Sequence, residues 1–483
     1  MSLDPEIAAV DPAQPTPGPA KMPAEFGLPT ATFIIVASMV GVGVLTTSGF
    51  TVNDVGSNQV MLALWVLGGI IAACGALTLC ELTAAMPRTG GDYIYLFEAY
   101  GPLVAFLSGW VSFLIGFAAP SASAAFGAAK YVTAPLSLDG AIAPGIQRGL
   151  ATALILAFAA VHVSGRHRTA AMQGWITGIK LALLCLFVVA GIVAGAGHAA
   201  HLADRPPLGE MPVVSMMFSL VYISYAYIGW NAASYLAGEF VAPQKQLPRA
   251  ILLGTGAVVV LYLGLNVVYA LALSVGDVKA IVNDPSNHLP YKPEAVAPIA
   301  ELAARRLFGA GLSAGFSVAV GLMLLSSLSA YVLTGPRVVY AMAHAGHFPA
   351  VAGRLSARAG TPAIATMMQV GCTLVLLWTG SFDNLIIYAS VGLSIFGMLA
   401  ISAVYVLRYT QPDIHRPFRT PGYPVTPAIY LLFTSILTGA AFWTRPQVSA
   451  YALLSILAGV PIYYGWQWLH GKRSEPDPAA PTV

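Results

Sequence analysis

Charge is what this chain has least of. Asp, Glu, Lys and Arg together make up 9% of its 483 residues, against about 25% in a soluble domain. With 57% of the residues hydrophobic, that deficit excludes a water-soluble globule. A net charge of +3 gives no reason to expect a nucleic-acid partner. Cysteine is nearly as scarce. Cys74, Cys80, Cys185 and Cys372 all fall inside apolar runs, which makes neither a disulfide framework nor a thiolate metal cluster. The nine histidines are scattered, so a membrane-embedded enzyme built on a His or metal constellation has no basis here. We assign no catalytic residue, no metal and no cofactor.

Long apolar runs are what the chain has in their place. Twelve can be drawn, at 28–54, 60–84, 97–128, 149–164, 171–197, 213–239, 250–275, 310–336, 362–380, 384–407, 425–443 and 448–469. About 20 residues cross a bilayer, so the chain reads as an all-α polytopic membrane protein of twelve transmembrane helices. The runs at 97–128 and 310–336 are long enough to tilt or to project beyond the membrane. Residues 1–26 are rich in Pro and Ala without an early apolar core, the composition of a disordered tail and not of a signal peptide. Residues 471–483 read as a second such tail. With the N-terminus inside, fourteen basic loop and tail residues lie on the cytoplasmic side and eight outside. The positive-inside rule then places both termini in the cytoplasm of a cell whose inner membrane holds the chain. In the longest loop, 276–307, the stretch Val296 to Leu307 alternates apolar and charged residues as a short amphipathic helix does.

Two of the runs are interrupted. The first carries Ser38-Met39-Val40-Gly41-Val42-Gly43-Val44-Leu45-Thr46-Thr47-Ser48-Gly49, dense in glycine and hydroxyls. Glycine costs a helix interior roughly 1 kcal/mol against alanine, but it lets backbone meet a ligand directly. Alone, the stretch reads equally as a small-residue packing face. The sixth run, however, is also interrupted, at Tyr225-Ala226-Tyr227-Ile228-Gly229-Trp230-Asn231. It lies five spans later, an odd offset, so a repeat unit starting there enters the membrane from the opposite side. Paired breaks in inverted halves point to a transporter's midplane site. The first break exposes N–H groups at Gly41, Val42 and Gly43 at a helix N-terminus, which suits a carboxylate. The second exposes carbonyls near Tyr225 and Ala226, which suit an ammonium group. Neither break holds an acidic side chain. Backbone alone can therefore hold an amino acid's head group. Lys180 lies some way into the fifth run, where a charge is costly and usually functional. It reads as a candidate proton carrier, or as a lysine snorkelling to the nearer surface.

Several motifs in the right order resemble one family. They are Glu81-Leu82; Pro87-Arg88-Thr89-Gly90-Gly91-Asp92-Tyr93-Ile94-Tyr95; Gly101-Pro102 with Phe106-Leu107-Ser108-Gly109-Trp110; Tyr225 through Glu239; Pro336-Arg337-Val338-Val339-Tyr340 with Gly346 and Pro349; and Arg416-Pro417-Phe418-Arg419-Thr420-Pro421-Gly422-Tyr423-Pro424. Together they resemble the amino acid–polyamine–organocation permeases, and among them bacterial relatives of the L-type exchangers. The resemblance implies a LeuT-type 5+5 inverted repeat with helices 1 and 6 broken. Helices 1–5 would occupy 27–200, helices 6–10 would occupy 210–410, and two C-terminal helices 420–470. It implies a secondary active transporter, sodium-independent, with proton coupling or exchange. Its substrate-binding residues would be Val40, Gly41, Val42, Gly43, Tyr225, Ala226, Tyr227, Ile228 and Asn231, with Tyr225 as the aromatic gate. Lys180, near Ser326, Ser327 and Ser329, would fill the space that sodium-coupled relatives give to a cation.

Ile228, where some relatives have glycine, narrows the pocket toward small or medium neutral L-amino acids. A cationic amino acid, polyamine or amine antiporter of the same fold is the alternative. A sensor that binds without transporting is the alternative of another class. No cysteine lies between spans 3 and 4, so no disulfide-linked heavy chain is expected, and the chain is expected to be a monomer in the lipid bilayer. Asn231 is read as bonding across the pocket or to freed backbone, or else as capping the second half helix, and Trp230 as packing. Glu81 and Glu239 are read as anchors to loop cations such as Arg88 or Arg337. His162 is read as a satisfied interhelical residue, and Asp92 and Glu98 as a solvated loop and helix start.

Overall fold

The computed structural model describes residues 24–133, 143–203, 213–284, 298–379, 382–444 and 446–470. Both expected tails lie, for most of their length, outside the described residues. Among the described residues, seventeen α-helices account for most of the chain, and the single β element is a bridge between Phe26 and Phe240. Among the described residues, ten helical stretches are long and apolar enough to cross a membrane, and two shorter apolar helices, Val213–Ala226 and Ala363–Thr379, join them. The chain is a multi-pass membrane protein.

The first apolar run folds as two helices, α1 (Leu28–Met39) and α2 (Gly43–Val55), with Val40 to Val42 unwound between them. Pro29 opens α1, where its missing N–H is no loss. Gly56 closes α2 with a left-handed turn, and the Ser57 hydroxyl caps α3 (Asn58–Ala85) by accepting from Val60 N–H at 3.3 Å.

The run read as one span over 97–128 is divided differently. A short helix, α4 (Asp92–Tyr100), stops at Gly101, and the span itself runs from Pro102 to Thr133. Proline disfavours helix in the residue before it, and Gly101 turns there with φ +84°. The span comprises α5 (Pro102–Val111) and α6 (Ala118–Thr133), joined by a π-helical turn over Ser112–Phe117. Helices α7 (Ala143–Ser164) and α8 (Arg166–Gly195) follow.

The sixth apolar run is again broken. Helix α9 (Val213–Ala226) ends at a turn over residues 227–231, and a 3-10 helix, Ala232–Glu239, continues. Beyond it come α10 (Pro243–Ala272), α11 (Val275–Asn283) and α12 (Ile299–Phe308). The helix expected near Val296 to Leu307 is α12, its buried side Ile299, Ala300, Ala303 and Ala304. Helix α11 carries a Ser274–Asp277 capping box, a signal not used above. The remaining helices are α13 (Ala310–His344), α14 (Ala363–Thr379), α15 (Phe382–Thr410), α16 (Val425–Thr444) and α17 (Pro446–His470).

The two broken runs lie against each other at their breaks. A Cβ on Gly43 would stand 2.7 Å from the Cβ of Ala226, and one on Gly229 would stand 2.8 Å from the backbone of Ser38. Glycine at both positions is thus a condition of contact. Gly229 also has φ +121°, a conformation L side chains avoid.

At the end where α1 begins, main chain joins main chain. The N–H groups of Glu25 and Phe26 both donate to Glu239 O at 2.9 Å, and Val241 N–H donates to Phe26 O at 3.0 Å. Beside this clasp the buried carboxylate of Glu239 takes the Arg337 guanidinium at 2.8 and 3.2 Å, with Arg166 at 3.7 Å. Glu81 is anchored to basic residues as expected, but not to Arg88. It binds Arg408 at 2.9 and 2.7 Å, Arg416 at 3.4 Å and the N–H of Thr420 at 2.8 Å, while Arg88 pairs with Glu98. The partners of Glu81 lie more than 300 positions along the chain, beyond any local pattern.

Candidate functional site

Unwinding α1 frees the carbonyls of its last turn, and lipid offers nothing to receive them. Each of four finds a side chain. Ala37 O accepts from Lys180 Nζ at 3.3 Å, Ser38 O from the Tyr331 hydroxyl at 2.8 Å, Met39 O from the Tyr262 hydroxyl at 2.7 Å, and Val40 O from the Ser327 hydroxyl at 2.8 Å. Tyr262 is also 2.9 Å from Ala226 O, the last carbonyl of α9. One hydroxyl on α10 therefore serves both breaks.

On the N-terminal side of the first break the donors are differently placed. Gly41 N–H turns back to Met39 O at 2.9 Å. The N–H of Val42 has no partner among the described residues. Gly43 opens α2, and helix geometry leaves its N–H without an acceptor. On the other break, Tyr225 O accepts from Ile228 N–H at 3.0 Å and retains a second lone pair.

A cavity of about 70 Å³ lies between the breaks. Of the expected residues, Gly41, Val42, Gly43, Tyr225, Ala226, Ile228 and Asn231 line it. Val40 and Tyr227 do not. Val40 is buried against helices, and Tyr227 points the other way, donating to Trp65 O at 3.1 Å and stacking edge-on with Trp65. Residue alternation round a turn places neighbours on opposite faces, which the run of letters does not display. Residues from other helices complete the lining, among them Phe117 and Ser123 from the third span, Tyr331 from α13 and Leu393 from α15. No residue of the lining carries a formal charge. The Ser38 hydroxyl is buried there with no partner among the described residues.

Lys180 is fully buried behind the first break, held by Ala37 O and by Ser327 Oγ at 2.8 Å. The other two serines of its expected neighbourhood are engaged elsewhere. Ser326 bonds Thr177 at 3.0 Å, and Ser329 donates to Gln173 Oε1 at 2.6 Å and meets His162 Nε2 at 3.1 Å. Successive residues of a helix face different directions, so only one of three can reach a given ammonium. His162 also meets Thr169 at 3.3 Å, closing an interhelical network.

Asp92 departs most from the sequence reading. It is buried, not solvated, and its Oδ2 accepts from Asn231 Nδ2 at 2.8 Å and from the Tyr235 hydroxyl at 2.9 Å. Burial pushes its carboxyl up to about 6, against the pull of those two bonds. Tyr262, Tyr331, Tyr235 and Asp92 are thus the site residues that sequence reasoning missed. The signal available for Tyr262 was a phenol, one of two with Tyr269, in a largely aliphatic stretch of α10.

The profile of a family described as "Amino acid permease" matches residues 26–465, nearly the whole length. The chain belongs to the amino acid permease family. The permease is similar to the mouse (Mus musculus) "Asc-type amino acid transporter 1", 30% identical over 473 residues, covering 94% of this chain and 82% of that one. It is similar at 29% identity to the mouse "Large neutral amino acids transporter small subunit 2", over 93% of this chain and 82% of that one. The human (Homo sapiens) "Cystine/glutamate transporter" is 26% identical, over 89% and 83%. These relatives are transporters and not enzymes, and the permease is likewise a member of the amino acid–polyamine–organocation superfamily.

Proposed function

We propose that the permease is a secondary active transporter of small or medium neutral L-amino acids, working by alternating access without sodium. The observation that carries this reading is an uncharged cavity bounded by two helix breaks, with the unpartnered N–H of Val42 at one side. A carboxylate there gains backbone donors at the positive end of α2. An ammonium group faces the second lone pair of Tyr225 O and the Ser38 hydroxyl. A free cationic side chain would meet no counter-charge in the lining. Ile228 and the small volume of the cavity favour short side chains, even though one relative is named for large neutral amino acids.

Proton coupling or exchange completes the proposal. The Lys180 ammonium bridges the first break and α13, the position a bound cation would otherwise bridge. We read the architecture as twelve membrane helices, a LeuT-type 5+5 inverted repeat with two further helices, and both termini cytoplasmic. The matched mouse protein is named a small subunit. This chain has no cysteine in residues 134–142, and we propose that it works without a disulfide-linked partner.

A thermal-shift panel of the twenty amino acids at two pH values, followed by uptake into proteoliposomes, tests the reading. We expect stabilisation by small neutral amino acids and uptake independent of sodium. Stabilisation by arginine, lysine or diamines alone would establish the cationic antiporter instead. Binding without uptake or exchange under any gradient would establish a sensor.

A further inference from the structure

Behind the substrate cavity lies a second one of about 60 Å³, large enough for water. Ile228, Gly229, Asn231, Tyr235 and Leu393 separate the two, facing both. Asp92 lines the second cavity only. Its Oδ2 holds Asn231 and Tyr235, as described, and its Oδ1 is buried with no partner among the described residues.

The asymmetry has a chemical meaning. An ionised carboxylate with one bare buried oxygen is penalised. A proton on Oδ1 removes the charge without displacing either donor from Oδ2. Once neutral, Oδ2 is a weaker acceptor, because bonds to an ionised group are about twice as strong as neutral ones. The Asn231 amide and the Tyr235 hydroxyl are then released toward the cavity they line. Among the described residues, the titratable groups facing Asp92 are phenols: Tyr95 on its own helix, Tyr235 beyond α9 and Tyr430 on α16. The Arg88 guanidinium acts on Tyr95 and is paired with Glu98. The anion of Asp92 is thus held by neutral donors alone, and a proton meets no fixed cation there.

We propose that Asp92 is a proton-binding site that sets, through Asn231 and Tyr235, how firmly the neighbouring cavity holds its amino acid. This rests on the reading of that cavity as the amino-acid site. A bound proton frees two donors for the substrate, so the amino acid binds more tightly in acid. By linkage, the bound amino acid raises proton affinity by the same factor.

Two measurements test it. The first is the dissociation constant of the amino acid found by thermal shift, at about pH 5 and about pH 7.5, for the wild type and for Asp92→Asn. We expect the wild type to bind at least roughly fivefold tighter in acid, and Asp92→Asn to bind equally at both values. A flat wild-type profile, or an undiminished dependence in Asp92→Asn, overturns the proposal. The second needs no ligand. The infrared band of a protonated carboxyl, assigned by its loss in Asp92→Asn, is followed against pH. We expect a midpoint near 6, as its burial implies. If Asp92→Asn fails to fold, Tyr235→Phe serves, since losing one donor to the anion moves the midpoint up; an unmoved midpoint overturns the proposal. If no amino acid binds at any pH, the substrate reading fails, and the infrared midpoint alone decides the proton site.

Discussion

Gly43 and Gly229 sit on different broken runs but share one function, to let the runs touch. A side chain at Gly43 meets Ala226 before it reaches the cavity, so its effect is to part the breaks. Gly41 differs, for a Cβ there has the Tyr331 hydroxyl as its nearest neighbour at 3.8 Å. We therefore expect Gly43→Val to abolish substrate binding and to lower stability as well, by about 1–3 kcal/mol of overpacking. Gly41→Ala is expected to keep the melting temperature and weaken binding. Thermal-shift titration of both variants checks the distinction, and full affinity in Gly43→Val would count against the contact. For Lys180, truncation to alanine removes the ammonium from Ala37 O and Ser327. We expect a folded Lys180→Ala protein whose proteoliposome uptake falls at least about tenfold, 1.4 kcal/mol of coupling. Unchanged uptake and an unchanged pH profile would refute its part.

A broken helix has two ends to satisfy, and here Tyr262 attends to both breaks from α10. In Tyr262→Phe, Ala226 O loses its donor, Met39 O keeps only the Gly41 N–H, and the ring still packs against Trp65 and Tyr227. We expect a loss of about 1–3 kcal/mol, the usual penalty for a buried group left without its partner, read as a lowered melting temperature with helix content retained. Elements of this kind were legible from the letters in part. The apolar runs mark helices because any membrane helix must be apolar, whatever its neighbours. The breaks showed because glycine, asparagine and hydroxyls are out of place at that depth. The partners did not show. Tyr262, Tyr331 and Ser327 reach the first break through the register of helices distant in sequence. Asp92 looked solvated because it stands in the polar stretch Pro87 to Asp92, but that stretch folds back beneath Tyr235.

In the whole molecule, the end where α1 begins is fastened by the clasp and by Glu239 between Arg337 and Arg166. Removing one partner of a buried ion pair costs roughly 3–5 kcal/mol. We expect Glu239→Gln to lower the melting temperature and to speed amide hydrogen exchange in residues 24–27 and 238–241; exchange as slow as in the wild type would show that the ions do not hold that end. The two fastenings differ in heredity. The clasp is three main-chain hydrogen bonds, indifferent to which side chains stand there, and only a proline, which has no N–H, at 25, 26 or 241 deletes one of them. The ion cluster is the Glu239 carboxylate between two guanidiniums, with the Glu25 carboxylate 3.7 Å from Arg166, each open to change by a single codon. Resistance to opening therefore has an inherited floor set by the fold, above which mutation has only the ions to adjust. Kin of this permease working in colder or stiffer membranes are expected to vary at 166, 239 and 337 while the bridge between 26 and 240 persists.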